Sequence, residues 1–136
     1  MGRCLGLDVG DKRIGIAMSD EMQLIASPLS VYTRVGFGPD CKHILALYQQ
    51  NNCQLIVCGL PRNMDGSIGF QAEKVMAFAK KLEEAGMPVA FQDERLTTVS
   101  AHGALIEGGM RRDDRKGTVD KVAAAFILQN YLDKNR

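Results

Sequence analysis

Hydrophobic and polar positions alternate between two periods along this chain, and the changes of period mark its elements. Arg3 to Val9 is an almost unbroken apolar run, as expected of a strand buried on both faces, and it closes at Gly10-Asp11-Lys12. Ile14 to Ser19 repeats the strand pattern, so the two segments read as a hairpin turning over Gly10 to Arg13. A third extended stretch from about Leu24 to Tyr32 contains Pro28, which confines it to a sheet edge or breaks it. After Pro39 the spacing becomes helical, with Cys41, Ile44, Leu45, Leu47 and Tyr48 on one side. Leu55 to Cys58 is a short apolar strand, followed by a turn-rich loop from Gly59 to Gly69.

Val75, Phe78, Ala79 and Leu82 define the apolar face of a second helix, stopped by Gly86 and Pro88. Val89 to Gln92 forms the next strand, with Asp93-Glu94-Arg95 directly after it. Thr97 or Thr98 can cap a helix that turns Val99, His102, Leu105 and Ile106 inward and ends at Gly108-Gly109. Met110 to Gly117 reads as a polar loop of mixed charge. The last helix is expected to start at a Thr118 cap, with Val119, Val122, Ala123, Phe126 and Ile127 as its apolar stripe. Three strands followed by alternating helix and strand predict an α/β fold, a mixed sheet with helices on both faces. Ligands of such sheets collect at the carboxyl ends of the strands.

Composition changes this picture little. The chain has 136 residues, 46% hydrophobic and 24% charged, ordinary values for one globular domain. Met1-Gly2-Arg3 shows no export signal, and no apolar run reaches membrane-spanning length, so a cytoplasmic protein without membrane contact is expected. The four cysteines, Cys4, Cys41, Cys53 and Cys58, form no Cys-x-x-Cys pair, and His43 and His102 lack zinc-ligand spacing. The net charge of +1 supplies no strong basic field for a nucleic acid.

Candidate chemistry lies at the strand ends. Asp8 closes the first strand, Asp93 and Glu94 close another, and Asp120 falls in what reads as the first turn of the last helix. Each has an ordinary explanation: Asp8 capping the Gly10 turn, Asp93 and Glu94 in a solvated turn with Arg95, Asp120 favouring the helix macrodipole. Together, three distant segments deliver carboxylates to places that a central sheet can unite. Clustered carboxylates repel unless a cation compensates, and oxygen-only donors suit Mg²⁺ or Mn²⁺ better than zinc.

The stretches Gly6-Leu7-Asp8-Val9-Gly10-Asp11-Lys12-Arg13-Ile14-Gly15-Ile16-Ala17, Gly59-Leu60-Pro61 with Asp65-Gly66, Asp93-Glu94-Arg95-Leu96-Thr97-Thr98, and Asp120 with Ala123-Ala124 resemble the YqgF (RuvX) family of the ribonuclease H-like superfamily. The resemblance spans essentially the whole chain, in order. It implies one ribonuclease H-like domain over residues 1–136, with a five-stranded mixed sheet, the second strand antiparallel, flanked by helices. It also implies a nuclease that matures the 5′ end of the small-subunit ribosomal RNA precursor, with Holliday junction resolution as the alternative. By motif position Asp8, Glu94 and Asp120 match the family's metal-binding acids, with Asp93 as the substitute for Glu94. Two ions, Mg²⁺ or Mn²⁺, would then serve phosphodiester hydrolysis. Arg13, Arg62 and Arg95 are candidates for holding substrate phosphates, although each also suits a solvated surface. Arg111, Arg112, Arg115 and Lys116 offer a second basic cluster, diluted by Asp113 and Asp114. The implied partner is nucleic acid, RNA ahead of branched DNA, and a homodimer is compatible with this reading.

Two rivals remain. A sugar-kinase or actin-like ATPase opens with a similar Asp-x-Gly hairpin but needs a second domain, and no Walker-type phosphate loop occurs in the chain. A catalytically idle RNA-binding module on the same fold is the other, since fold does not imply activity.

Overall fold

A computed structural model describes residues 2–61, 69–93 and 112–135, with 112–120 described by backbone alone. Strands β1 (Arg3–Val9), β2 (Arg13–Ser19) and β3 (Ala26–Thr33) precede helix α1 (Phe37–Gln50). Then follow β4 (Cys53–Leu60), α2 (Phe70–Glu84), β5 (Val89–Asp93) and α3 (Arg112–Lys134). The five strands form one sheet in the order β3-β2-β1-β4-β5. β2 runs antiparallel to β1 and β3, while β4 runs parallel to β1 and β5. This is the mixed sheet with an antiparallel second strand that the sequence led us to expect.

The central position of β1 explains its composition. Buried on both faces, it alternates between two cores. Leu5, Leu7 and Val9 pack with Ile14, Ile16, Ile44, Val75, Phe78 and Leu82 beneath α1 and α2. Cys4 packs with Ala17, Val57, Ala124, Ile127, Leu128 and Leu132 beneath α3. β3 is an edge strand with no fully buried residue, and Pro28 sits where its register against β2 shifts. Proline removes a ladder donor, which an edge tolerates.

Helix ends follow local chemistry. Pro39 is accommodated in the first turn of α1, where its missing N–H would have no partner in any case. α2 stops where Gly86 adopts φ 94°, a left-handed conformation that glycine takes without strain, while Met87 N–H returns to Leu82 C=O at 3.1 Å. Two expectations are corrected. β4 extends to Leu60, so Gly59 and Leu60 belong to a strand and not to the following loop. The last helix begins at Arg112, within the stretch read as a Met110–Gly117 loop, and Thr118 is interior to it. Asp113 and Asp114 favour a helix start through the macrodipole, and Gly117 costs about 1 kcal/mol, which a long helix can absorb. The buried stripe of α3 also differs from the expected one: Ala124 and Leu128 join it, whereas Phe126 is 40% exposed. The expected helix from Thr97 to Ile106 lies outside the described residues.

α3 approaches β1 most closely at Gly6. A Cβ built there would lie 2.7 Å from Leu128 Cβ and 2.9 Å from the Ala124 carbonyl oxygen. Any side chain at position 6 must lift the helix from the sheet. Gly6→Ala should therefore destabilise the fold by about 1–3 kcal/mol, the usual cost of overpacking. Adding Leu128→Ala should restore only part of this, because the second obstacle is backbone. Urea unfolding of both variants measures the loss, and a Gly6→Ala protein as stable as the parent would contradict the close approach.

Candidate active site

The candidate acids are best located by row and face. Asp8 is the penultimate residue of β1 and half-buried. It shares the α3 side of the sheet with Cys4 and Gly6, because alternate residues of a strand face the same way. In the antiparallel ladder Asp8 stands opposite Gly15. On its other side Leu7 pairs with Cys58, so the next row sets Asp8 beside Gly59, which in turn pairs with Gln92 of β5. Asp8 is thus flanked by glycine on both neighbouring strands, and the row continues to Gln92. Gln92 carries a buried Oε1 with no hydrogen-bond donor among the described residues. Such an oxygen costs about 1–3 kcal/mol unless something satisfies it.

The direction of α3 sets the level of position 120. Near its C-terminal end, Gln129 Oε1 accepts from Ala26 N–H at 2.8 Å. Ala26 pairs with Ser19, whose hydroxyl accepts from Cys4 N–H at 2.9 Å, so this part of the helix lies at the start of β1. One turn back, Ala124 lies over Gly6. A helix advances about 6 Å in four residues and a strand about 6.6 Å in two, so the backbone at Asp120 comes level with Asp8. Asp120 stands in the third turn of α3. The macrodipole explanation, which required the first turn, therefore does not apply to it.

Asp93 has the opposite parity. It pairs with Leu60, which belongs to the core under α1 and α2, so it faces away from Asp8. Gln92 is the residue of β5 on the Asp8 side, and Glu94 lies outside the described residues. Arg62 and Arg95 lie outside them too. Arg13 opens β2, its carbonyl accepts from Gly10 N–H at 2.8 Å, and it shares the α3 face with Gly15 and Ala17. That is a diagonal neighbour of Asp8, at about 7–8 Å between the positions. Among the described residues no three potential metal ligands converge.

A second cluster holds this hairpin in place and was not anticipated from the sequence. Asp40, in the first turn of α1, is fully buried. Its carboxylate accepts from Arg34 Nε at 2.9 Å, Val35 N–H at 2.9 Å and Gly36 N–H at 3.3 Å, and from the Tyr32 phenol. Arg34 Nη1 donates to the Gly10 carbonyl at 2.9 Å, and its backbone N–H to the Lys12 carbonyl, also at 2.9 Å. The guanidinium sits 5.0 Å from the centre of the Phe78 ring. Arg34 thus ties the turn after Asp8 to a helix on the other face. An arginine six positions before an acid that starts a helix was the available signal, but it is weak without a known neighbour for the guanidinium.

The comparisons with known proteins bear on the family and the fold. The family model described as RuvX, Holliday junction resolvase, matches residues 2–134. A relative from Caldanaerobacter subterraneus subsp. tengcongensis is 49% identical over 136 residues, covering 98% of each chain. One from Clostridium kluyveri is 44% identical over 133 residues, covering 97% of each. Both carry the name "Putative pre-16S rRNA nuclease". Among solved structures, Thermus thermophilus RuvC in complex with a Holliday junction substrate superposes with TM-score 0.58 at 17% identity, over 99% of this chain and 96% of that one. The fowlpox virus resolvase with Holliday junction DNA gives 0.56 at 12% identity, over 98% of both. The fold is that of the RuvC-like, ribonuclease H-like resolvases. At the level of sequence, the chain belongs to the RuvX family.

Burial would raise the pKa of Asp40, but the Val35 N–H, the Arg34 guanidinium, the Gly36 N–H and the Tyr32 hydroxyl outweigh it and hold the carboxyl below its ordinary range. A depressed carboxylate contributes stability that is fully present above the unfolded value of about 3.9 and is lost as pH falls through the folded value. Asp40→Asn should cost about 3 kcal/mol at neutral pH, because Arg34 stays largely buried without its partner. The variant should also lose less stability than the parent as pH falls below about 4. Denaturant titrations from neutral pH to pH 3 check both, and parallel pH profiles would show that the pair adds nothing.

Proposed function

We propose that this chain is a metal-dependent nuclease that hydrolyses phosphodiester bonds, with the 5′ end of the 16S ribosomal RNA precursor as its substrate. The carrying observation is the row through Asp8, where Gly15 stands opposite, the register continued one step beyond Leu7–Cys58 sets Gly59 beside it, and the Gln92 amide oxygen lies buried without a donor among the described residues. Near full-length identity of 44–49% to relatives named for that nuclease activity supports the substrate.

Asp8, Glu94 and Asp120 would hold two ions, Mg²⁺ or Mn²⁺. The donor set fits, since carboxylates and an unsatisfied amide oxygen are what hard cations or their bound waters take. Such ions supply an activated water and charge stabilisation for the departing sugar oxygen. The residues of the chain do the positioning. Asp8 is fixed by a central strand and by a turn that Arg34 holds. Arg13, Arg62 and Arg95 are suited to bind phosphate through paired N–H groups and so to align the scissile bond. We take residues 1–136 as one domain acting in the cytoplasm, where four free thiols are at home. Among the described residues no helix is long and apolar enough to cross a membrane.

Cleavage should be assayed on precursor RNA and on a four-way DNA junction side by side, with chelator and with Mg²⁺ or Mn²⁺. RNA cleavage that requires metal is the expected result. Junction resolution alone would reassign the substrate, and no cleavage of either would favour the idle binding module. Glu94→Gln should abolish cleavage while Asp93→Asn retains a measurable rate, because Asp93 faces away from Asp8 and the family motif favours Glu94. The reverse pattern would overturn the proposed ligand set.

A further inference from the structure

Phenylalanine is placed unusually in this chain. Of its five phenylalanines only Phe78 is fully buried, and Phe70, the first residue of α2, is 74% exposed. Single exposed apolar residues are common and need no explanation. Phe70, however, is built into the end of the sheet that carries Asp8. Lys74, one turn along α2, places its ammonium 4.5 Å from the centre of the Phe70 ring and 3.1 Å from Asp11 Oδ1. Asp11 belongs to the β1–β2 turn, three residues after Asp8. The ring is thereby tied through one lysine to the turn beside the candidate site. The ammonium lies near the ring, and most of the residue remains accessible. On the far side of the same turn, Phe37 is 47% exposed and has the Arg34 guanidinium 5.6 Å from its centre. Both of these rings are accompanied by a cation that is itself paired with a carboxylate, Lys74 with Asp11 and Arg34 with Asp40.

An exposed aromatic ring beside a lysine matches the chemistry of an unpaired nucleotide, whose base stacks on the ring while its phosphate competes with the exposed Asp11 carboxylate for the ammonium. In a duplex the base faces are stacked on one another and unavailable to a side chain. A chain of net charge +1 also gains from stacking what it lacks in electrostatic attraction. We propose that Phe70 and Lys74 form a binding site for an unpaired nucleotide of the substrate, so that the enzyme grips a single-stranded stretch a few nucleotides from the bond it cuts. This rests on the nucleic-acid reading above and assigns its substrate class: single-stranded next to the cut, with no base identity read.

The chain contains no tryptophan, so Phe70→Trp introduces a unique fluorophore at the site. It should be titrated in EDTA, which keeps binding separate from cleavage, with a 12-nucleotide RNA, the same sequence as DNA, and the matching duplexes. Saturable quenching by both single strands is expected, with little by the duplexes. In parallel, anisotropy of labelled oligonucleotides should show Phe70→Ala weakening single-strand binding about 10-fold and duplex binding less than about 2-fold. Phe70 is solvent-exposed, so its replacement leaves the core intact, and the melting temperature of each variant verifies this. If the parent binds single strands but Phe70→Ala binds equally well, or the tryptophan is not quenched, this proposal falls and the nuclease reading stands. If the parent binds no oligonucleotide, both fall. Quenching without any cleavage in metal would leave the site intact and remove the nuclease.

Discussion

The contact between β1 and α3 at Gly6 is the constraint on which the rest of the site depends. A Cβ there would lie 2.9 Å from a backbone carbonyl, so helix and strand meet at a distance that only glycine permits. Position 124 of the helix is thereby fixed over position 6 of the strand. The two elements run in opposite directions and advance by nearly equal steps, one helical turn against two strand residues. Fixing the first pair brings the backbone at 120 level with Asp8. A helix displaced by a side chain at position 6 would shift the backbone at 120 relative to Asp8, and with it the proposed ligand set.

The opposite face of the sheet steadies the same point. Arg34 spends one donor on Asp40 and another on the Gly10 carbonyl, so a buried ion pair under α1 holds the turn that follows Asp8. Hydrogen bonds from Val35, Gly36 and Tyr32 complete the carboxylate's shell, as a buried charge requires. Lys74 adds an exposed tie from α2 to the same turn through Asp11. A weak overall charge is compatible with nucleic-acid work because affinity can come from local contacts, and stacking on an exposed ring needs no basic field.

Most of this architecture is legible in the order of residues. β1 and the α2 face at Val75, Phe78, Ala79 and Leu82 follow from hydrophobic period alone, since burial of those positions is what the period encodes. Pro28 marks the edge strand for a reason that belongs to proline itself. The start of α3 is not legible this way: the Arg112–Gly117 stretch is polar, and its helical state comes from acidic residues at a helix start, which resemble an ordinary solvated loop. Phe126 looked like core because its spacing fits a stripe, yet which of two adjacent stripes is buried is set by the close approach at Gly6. Alternation sets Gln92 and Asp93 on opposite faces, but deciding which face meets Asp8 requires the register Gly59↔Gln92. The Arg34–Asp40 pair is tertiary, and the orphaned oxygen of Gln92 has no counterpart in sequence.

The central claim is that Asp8 belongs to a cluster of carboxylates that a divalent cation neutralises. Its most direct test is thermal unfolding of the parent and of Asp8→Asn, each in EDTA and in Mg²⁺. Asparagine keeps the shape and removes one of the repelling charges. In EDTA the variant should be as stable as the parent or more stable by about 1 kcal/mol. Added Mg²⁺ should raise the melting temperature of the parent more than that of the variant, because binding to the folded state shifts unfolding by mass action. A variant that melts clearly below the parent in EDTA and responds equally to Mg²⁺ would make Asp8 a support of the Gly10 turn, and would contradict the metal site.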